Sequence, residues 1–135
     1  MAEGDSWEAT HAEFRVYQEA WEQGLLTHLA GSGGEDHRPD EYVIIYPTLT
    51  RDEVLPALVA ALERGDVELY EDVVVRPGEG GKRDLDLEEA LRIVKNSAYW
   101  AWDTAPTVIS LRITDAGEAR HRRMKAPEVE CRPKR

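Results

Sequence analysis

Apolar side chains recur every three or four residues near the start of the chain: Phe14, Tyr17, Trp21, Leu25 and Leu29, with Leu26 widening the stripe. That period lines one face of a helix. Residues 7–30 are therefore predicted as one long amphipathic helix, stopped by GSGG at 31–34, where glycines tolerate positive φ. The stretch 31–41, GSGGEDHRPDE, reads as a loop. The run YVIIY at 42–46 is β-branched and aromatic and too short for a helix, which predicts a buried strand stopped by Pro47.

Residues 50–65 carry the strongest local signal. Thr50 and Glu53 have capping-box spacing, Val54, Leu55, Leu58, Val59 and Leu62 form an apolar stripe, and Gly65 stands at the stop. Pro56 falls in the second turn and predicts a bend. Residues 67–75 alternate as a strand, with a bulge predicted at Glu71–Asp72, where an acid falls on the apolar face. Residues 76–84 read as an exposed turn. A helix follows at 87–96, capped by Asp86, with Leu87, Ala90, Leu91 and Val94 inward and Leu85 as a staple. Residues 97–106 read as irregular, and 108–113 as a strand with Ile109, Leu111 and Ile113 inward. Thr114 caps a last helix to about Arg123. No repeat or linker divides the chain, so 1–123 reads as one domain and 124–135, with Pro127 and Pro133, as a flexible basic tail.

Two of these segments, 50–70 and 109–123, resemble winged-helix proteins of the MarR and PadR repressor kind. The matching residues are Gly65, Val67, Leu69 and Tyr70 at a helix-to-strand junction, and Ile113, Thr114, Asp115 and Gly117 where a strand closes into a helix. The resemblance implies an α+β, winged-helix-like fold: about four helices, a small three-stranded sheet and a long helical insert in the wing. Some 30 residues separate the two wing strands here, where the family has a short hairpin. The strand 42–46 also occupies the interval in which the family places a second helix.

Charge changes what that fold can be expected to do. The net charge is -10, and it is unevenly placed: residues 116–135 carry +4 and residues 1–115 carry -14. An acidic body repels phosphate backbones and anionic lipid. The resemblance makes 51–64 the recognition helix. Its outward positions hold Asp52, Glu53 and Glu63 against Arg51 and Arg64, with three alanines between, which leaves no side chain in mid-helix to read a base edge. A basic stripe for nucleic acid would need Arg51, Arg76, Lys82, Arg83, Arg120, Arg122 and Arg123 to converge.

Catalytic chemistry finds little footing. His11, His28, His37 and His121 make no HExxH pair. The cluster Glu35, Asp36, His37, Asp40 and Glu41 matches no metal-site spacing and reads as solvated loop. Residues 77–83, PGEGGKR, lack the first glycine and the terminal Ser/Thr of a phosphate loop. The single cysteine, Cys131, sits in the tail without a neighbouring base and fits a reducing compartment. No catalytic, cofactor or metal residue is assigned. No membrane span or basic-apolar leader is visible, and a cytoplasmic setting is expected. Thirteen of the 17 basic residues are arginine, which hints at a GC-rich bacterial genome.

What remains is aromatic. Tyr99, Trp100 and Trp102 fall within four residues, either capping the sheet as core or forming an exposed hot spot. Trp21 on the first helix would serve a homodimer through helix 7–30. The first reading is thus a non-catalytic module acting by protein–protein interaction through Tyr99, Trp100, Trp102 and Trp21. The alternative is a DNA-binding transcriptional regulator using helix 51–64 and a basic wing. The third is a small-molecule binder or small enzyme at Trp100 and Trp102.

Overall fold

The computed structural model describes residues 6–31, 34–37, 42–76 and 79–133. In chain order they form β1 (Trp7–Glu8), α1 (His11–Trp21), a 3-10 turn (Leu26–His28), β2 (Gly34–His37) and β3 (Tyr42–Tyr46). Next come α2 (Arg51–Arg64), β4 (Val67–Arg76), β5 (Glu79–Asp84), α3 (Leu87–Val94) and a second 3-10 turn (Ser97–Trp100). The order closes with β6 (Ile109–Ile113), α4 (Asp115–Arg122), β7 (Met124–Lys125) and β8 (Glu130–Pro133). The class is α+β, with four α-helices among the described residues.

Strand β4 is the organising element, paired antiparallel to β5 on one edge and β6 on the other. Val67, Leu69 and Leu111 are buried beneath α1 and α2, together with Tyr17, Leu26 and Leu58. Helix α2 matches its signals closely. Thr50 and Glu53 form the reciprocal capping box, Gly65 closes the helix at φ 78, and Pro56 lies inside it. Thr114 caps α4 by accepting from the Gly117 amide. Gly117 is needed there, because a Cβ would stand 2.0 Å from the Asp66 carbonyl oxygen.

The predicted helix 7–30 is instead α1 plus a return into the sheet. Thr10 and Glu13 form a capping box that starts α1 only at His11. Gln23 adopts φ 56, and Leu25 then bridges antiparallel to Ser110, with the Leu111 amide donating to the Gly24 carbonyl at 2.8 Å. Leu26 and Leu29 are still fully buried, but from a 3-10 turn and the residue that follows it. A hydrophobic period records which residues return to the core, and a turn can return them as well as a helix.

Other boundaries also move. Part of the predicted 31–41 loop is β2, paired with β3 from Gly34 opposite Tyr46 to His37 opposite Val43; Asp40 and Glu41 lie outside the described residues. Most of the predicted 76–84 turn is β5. The bulge predicted at Glu71–Asp72 is absent: Glu71 sits in register opposite both Arg83 and Ile109, and the irregularity falls between Val74 and Arg76. Glu71 needs no expulsion because Thr107 Oγ1 and Arg83 Nε donate to its carboxylate at 2.7 and 3.0 Å. The Thr107 bond, then the Arg83 contact, hold that carboxyl below its ordinary range against the opposing effect of desolvation. Helix α3 ends at Val94, and Leu87, predicted inward, is 47% exposed while Ile93 takes the buried place.

The expected flexible tail is replaced by strands through residue 133. β7 pairs parallel to β1, Trp7 opposite Met124, and β8 pairs antiparallel to β3, Ile44 opposite Cys131. Where one three-stranded sheet was expected, the described residues form three sheets, β5-β4-β6, β2-β3-β8 and β1-β7. The cause is edge satisfaction: β3 offers two rows of backbone donors and acceptors, and both are covered.

Candidate interaction surfaces

The side chains grouped for nucleic acid are dispersed, and most face carboxylates. Arg83 makes a two-pronged contact to Glu89 at 3.1 and 2.9 Å and a further bond to Glu71. Arg120 Nε stands 2.9 Å from the Asp66 carboxylate, and Arg122 pairs with Glu118 at 2.8 Å. Arg51 donates to the Lys95 carbonyl at 2.8 Å and lies over the Trp100 ring. Lys82 sits over the Tyr70 ring at 4.7 Å, and Arg76 ends β4. Arg123 forms the C-cap of α4. Arg83 on β5 lies opposite Glu71, whereas Arg120 on α4 meets Asp66 at the α2–β4 junction.

Sequence reading missed a buried polar cluster. Asp66, only 3% exposed, accepts from the Tyr17 hydroxyl and from Arg64 Nε at 3.3 Å. Arg64 also donates to the Tyr17 oxygen at 2.7 Å. The Arg120 contact to Asp66 fails hydrogen-bond geometry and acts as an ion pair. Burial, then the bond to Asp66, pushes the Tyr17 phenol up to about 12. Trp7 Nε1 donates to the Arg120 carbonyl at 3.1 Å, and the Arg120 guanidinium lies over the Trp7 ring. The cluster ties α1, the α2–β4 junction and α4 together. Its signal in sequence is slight: Asp66 directly follows a helix-stop glycine, and nothing local pairs it with Tyr17, 49 residues away.

The aromatic candidates divide. Trp100 is 7% exposed and donates to the Val94 carbonyl at 2.8 Å, so it belongs to the core. Tyr99 is half-buried against that core. Trp102, two residues on, is 61% exposed; its ring meets His28 edge-on, and with Pro106 and Val108 it lines a hollow of about 160 Å³. Trp21 is 52% exposed at the end of α1 and stacks on His121 with centroids 5.9 Å apart. Burial depresses the His121 imidazole, whose Nε2 lies 3.1 Å from Gln18 Oε1. Trp100 and Trp102 therefore do not share a pocket.

A second feature invisible in the sequence is a groove of about 520 Å³ beside α1. Phe14, Arg15, Glu19 and Glu22 form one wall, Tyr46 and Pro47 another, and Pro127 and Val129 a third. Three segments far apart in the chain build it, so no spacing could reveal it. Among the described residues, no group of three or more His, Cys, Asp or Glu side chains is placed to hold a metal ion. No described helix is long and apolar enough to cross a membrane. Cys131 is exposed on β8.

No protein-family model matches the chain, and neither a curated protein nor a solved structure does.

Proposed function

We propose that the protein is a non-catalytic, cytoplasmic binding module with winged-helix-like topology, and that it docks a protein partner through the apolar surface around Trp102. The carrying observation is that Trp102 is 61% exposed beside Pro106 and Val108, while Trp100, two residues earlier, is buried. Tryptophan exposed among apolar neighbours is the side chain that contributes most to protein interfaces. Winged-helix character is supported by the order of parts: Leu25 bridging β6, α2 running through Gly65 into β4, β4 antiparallel to β6, and α4 following. On this reading β5, α3 and the second 3-10 turn are an insert between the wing strands.

Nucleic acid is the weaker partner class because Arg83, Arg120 and Arg122 already meet Glu89, Asp66 and Glu118. Each would have to leave a carboxylate to reach a phosphate. Trp21 contributes from a separate element, and the 11-residue α1, about 16 Å long, gives a helix-paired homodimer little length.

The test is capture of the partner by cross-linking, followed by calorimetry of the purified pair. Trp102→Ala should weaken binding at least about tenfold and Trp21→Ala less, with little change between about 50 and 200 mM salt. Retained affinity in Trp102→Ala would overturn the assignment. Duplex DNA binding that collapses over the same salt range would restore the regulator reading.

A further inference from the structure

The groove beside α1 goes beyond the docking role and lies apart from Trp102. Its volume of about 520 Å³ falls within the range of roughly 300–1,000 Å³ usual for small-ligand sites. Phe14, Pro127 and Val129 are half-buried and Tyr46 is exposed, so apolar surface remains open to a ligand although the core beneath it is closed.

Charge selects the ligand class. Arg15 is the one guanidinium lining this groove, and its two terminal nitrogens already donate to the Leu29 and Pro47 carbonyls at 3.3 and 3.2 Å. Its positive charge is also opposed by Glu19, whose carboxylate lies 3.5 Å from His28 Nδ1. Glu22 differs: it is exposed on the same wall and has no ion pair among the described residues. An anion entering the groove would meet an uncompensated carboxylate and an arginine that already gives one N–H of each terminal nitrogen to a carbonyl and stands near Glu19. A cation would meet Glu22 and aromatic faces that attract positive charge. The field of a chain with net charge -10 acts in the same sense.

We propose that this groove binds a small organic cation, an ammonium group carried on an aromatic or branched apolar body. The ammonium meets the Glu22 carboxylate at the rim, and the apolar body lies on Phe14, Tyr46 and Pro127.

The probe is phenethylamine, titrated into the ¹⁵N-labelled full chain at pH 8 and followed by amide chemical shifts. Phenethyl alcohol and phenylacetate serve as the neutral and anionic counterparts. The amine should produce saturable amide shifts confined to residues 11–22, 46, 126, 128 and 129, with at least about tenfold weaker response to the acid. Glu22→Gln should weaken the amine roughly two- to fivefold, the scale of one exposed ion pair. Glu22→Lys should lose it, and the same spectra report that each variant is folded. Equal binding of alcohol and amine, tighter binding of the acid, or non-saturating shifts over the whole acidic surface would overturn the proposal. So would a lysine-rich peptide shifting the same amides more tightly than phenethylamine, since that occupant is a macromolecule. Trp102→Ala should leave the amine titration unchanged, so failure of either site is read independently.

Discussion

Strands β3 and β6 are each five residues long, and their sequences rank them the wrong way round. β3 is YVIIY, wholly apolar and aromatic, yet only Val43 is buried and both tyrosines are exposed. β6 is ISLRI, with a serine and an arginine, yet Ile109, Ser110 and Leu111 are all buried. Both are paired on two sides, β3 by β2 and β8, β6 by β4 and the Leu25 bridge. The difference is what covers their faces. Helix α1 packs on β6, whereas the sheet around β3 is left partly open and forms a wall of the groove. Hydropathy therefore identifies both as strands, but burial follows from the elements laid over them.

The largest test of that contrast is truncation within each strand. Leu111→Ala should cost about 2–5 kcal/mol, since its side chain is fully enclosed. Ile44→Ala, half-buried on β3, should cost less than about half as much, measured by urea unfolding of both variants. Equal losses would mean that the outer sheet is as closely packed as the inner one.

A smaller effect is expected where α4 meets the α2–β4 junction. Gly117→Ala places a Cβ 2.0 Å from the Asp66 carbonyl and 2.9 Å from Ile113 Cγ1, and backbone cannot yield as a side-chain tip can. A loss of about 1–3 kcal/mol is expected in the same assay. Gly81→Ala on β5, with open space around its Cβ, is the control and should lie within about 0.5 kcal/mol.

The mildest probe is silent at neutral pH. With its phenol raised from 10.0 to about 12, Tyr17 keeps its proton in the folded chain after the unfolded chain has lost it. Its contribution is complete below pH 10 and declines as pH rises from 10 to 12. Urea midpoints at pH 8 to 11.5 should fall on the alkaline side, and Tyr17→Phe should flatten that limb. An unchanged alkaline slope in Tyr17→Phe would remove the Tyr17–Asp66 contact from the account.

Legibility in the sequence follows the range of the interaction. Helix α2 could be read to the residue because Thr50, Glu53 and Gly65 act within three or four positions of the ends they set. The helix expected over 7–30 exceeds α1 at both ends: Thr10 and Glu13 carry the same capping-box spacing and start it at His11, and the apolar period from Phe14 to Leu29 continues past its end at Trp21. β5 was hidden by EGGKRD, a composition that reads as turn; it is a strand because β4 supplies a partner for its backbone. Of the four aromatic site candidates, Trp102 and Trp21 are exposed and Trp100 is core. No local signal separates Trp100 from Trp102, since the buried acceptor of the Trp100 indole is the Val94 carbonyl at the end of α3.

By itself, the sequence determined the α+β class, the capped helices α2, α3 and α4, and strands β3, β4 and β6, because capping and periodicity are short-range physics. Tertiary structure alone decided that α1 turns back into the sheet, that residues 124–133 close two sheets, and that Asp66 gathers Tyr17, Arg64 and Arg120. Apart from Arg64, two residues from Asp66, those outcomes depend on unpaired backbone and buried charge finding partners about fifty or more residues away. Which residues meet across such distances is set by the packing of the whole chain.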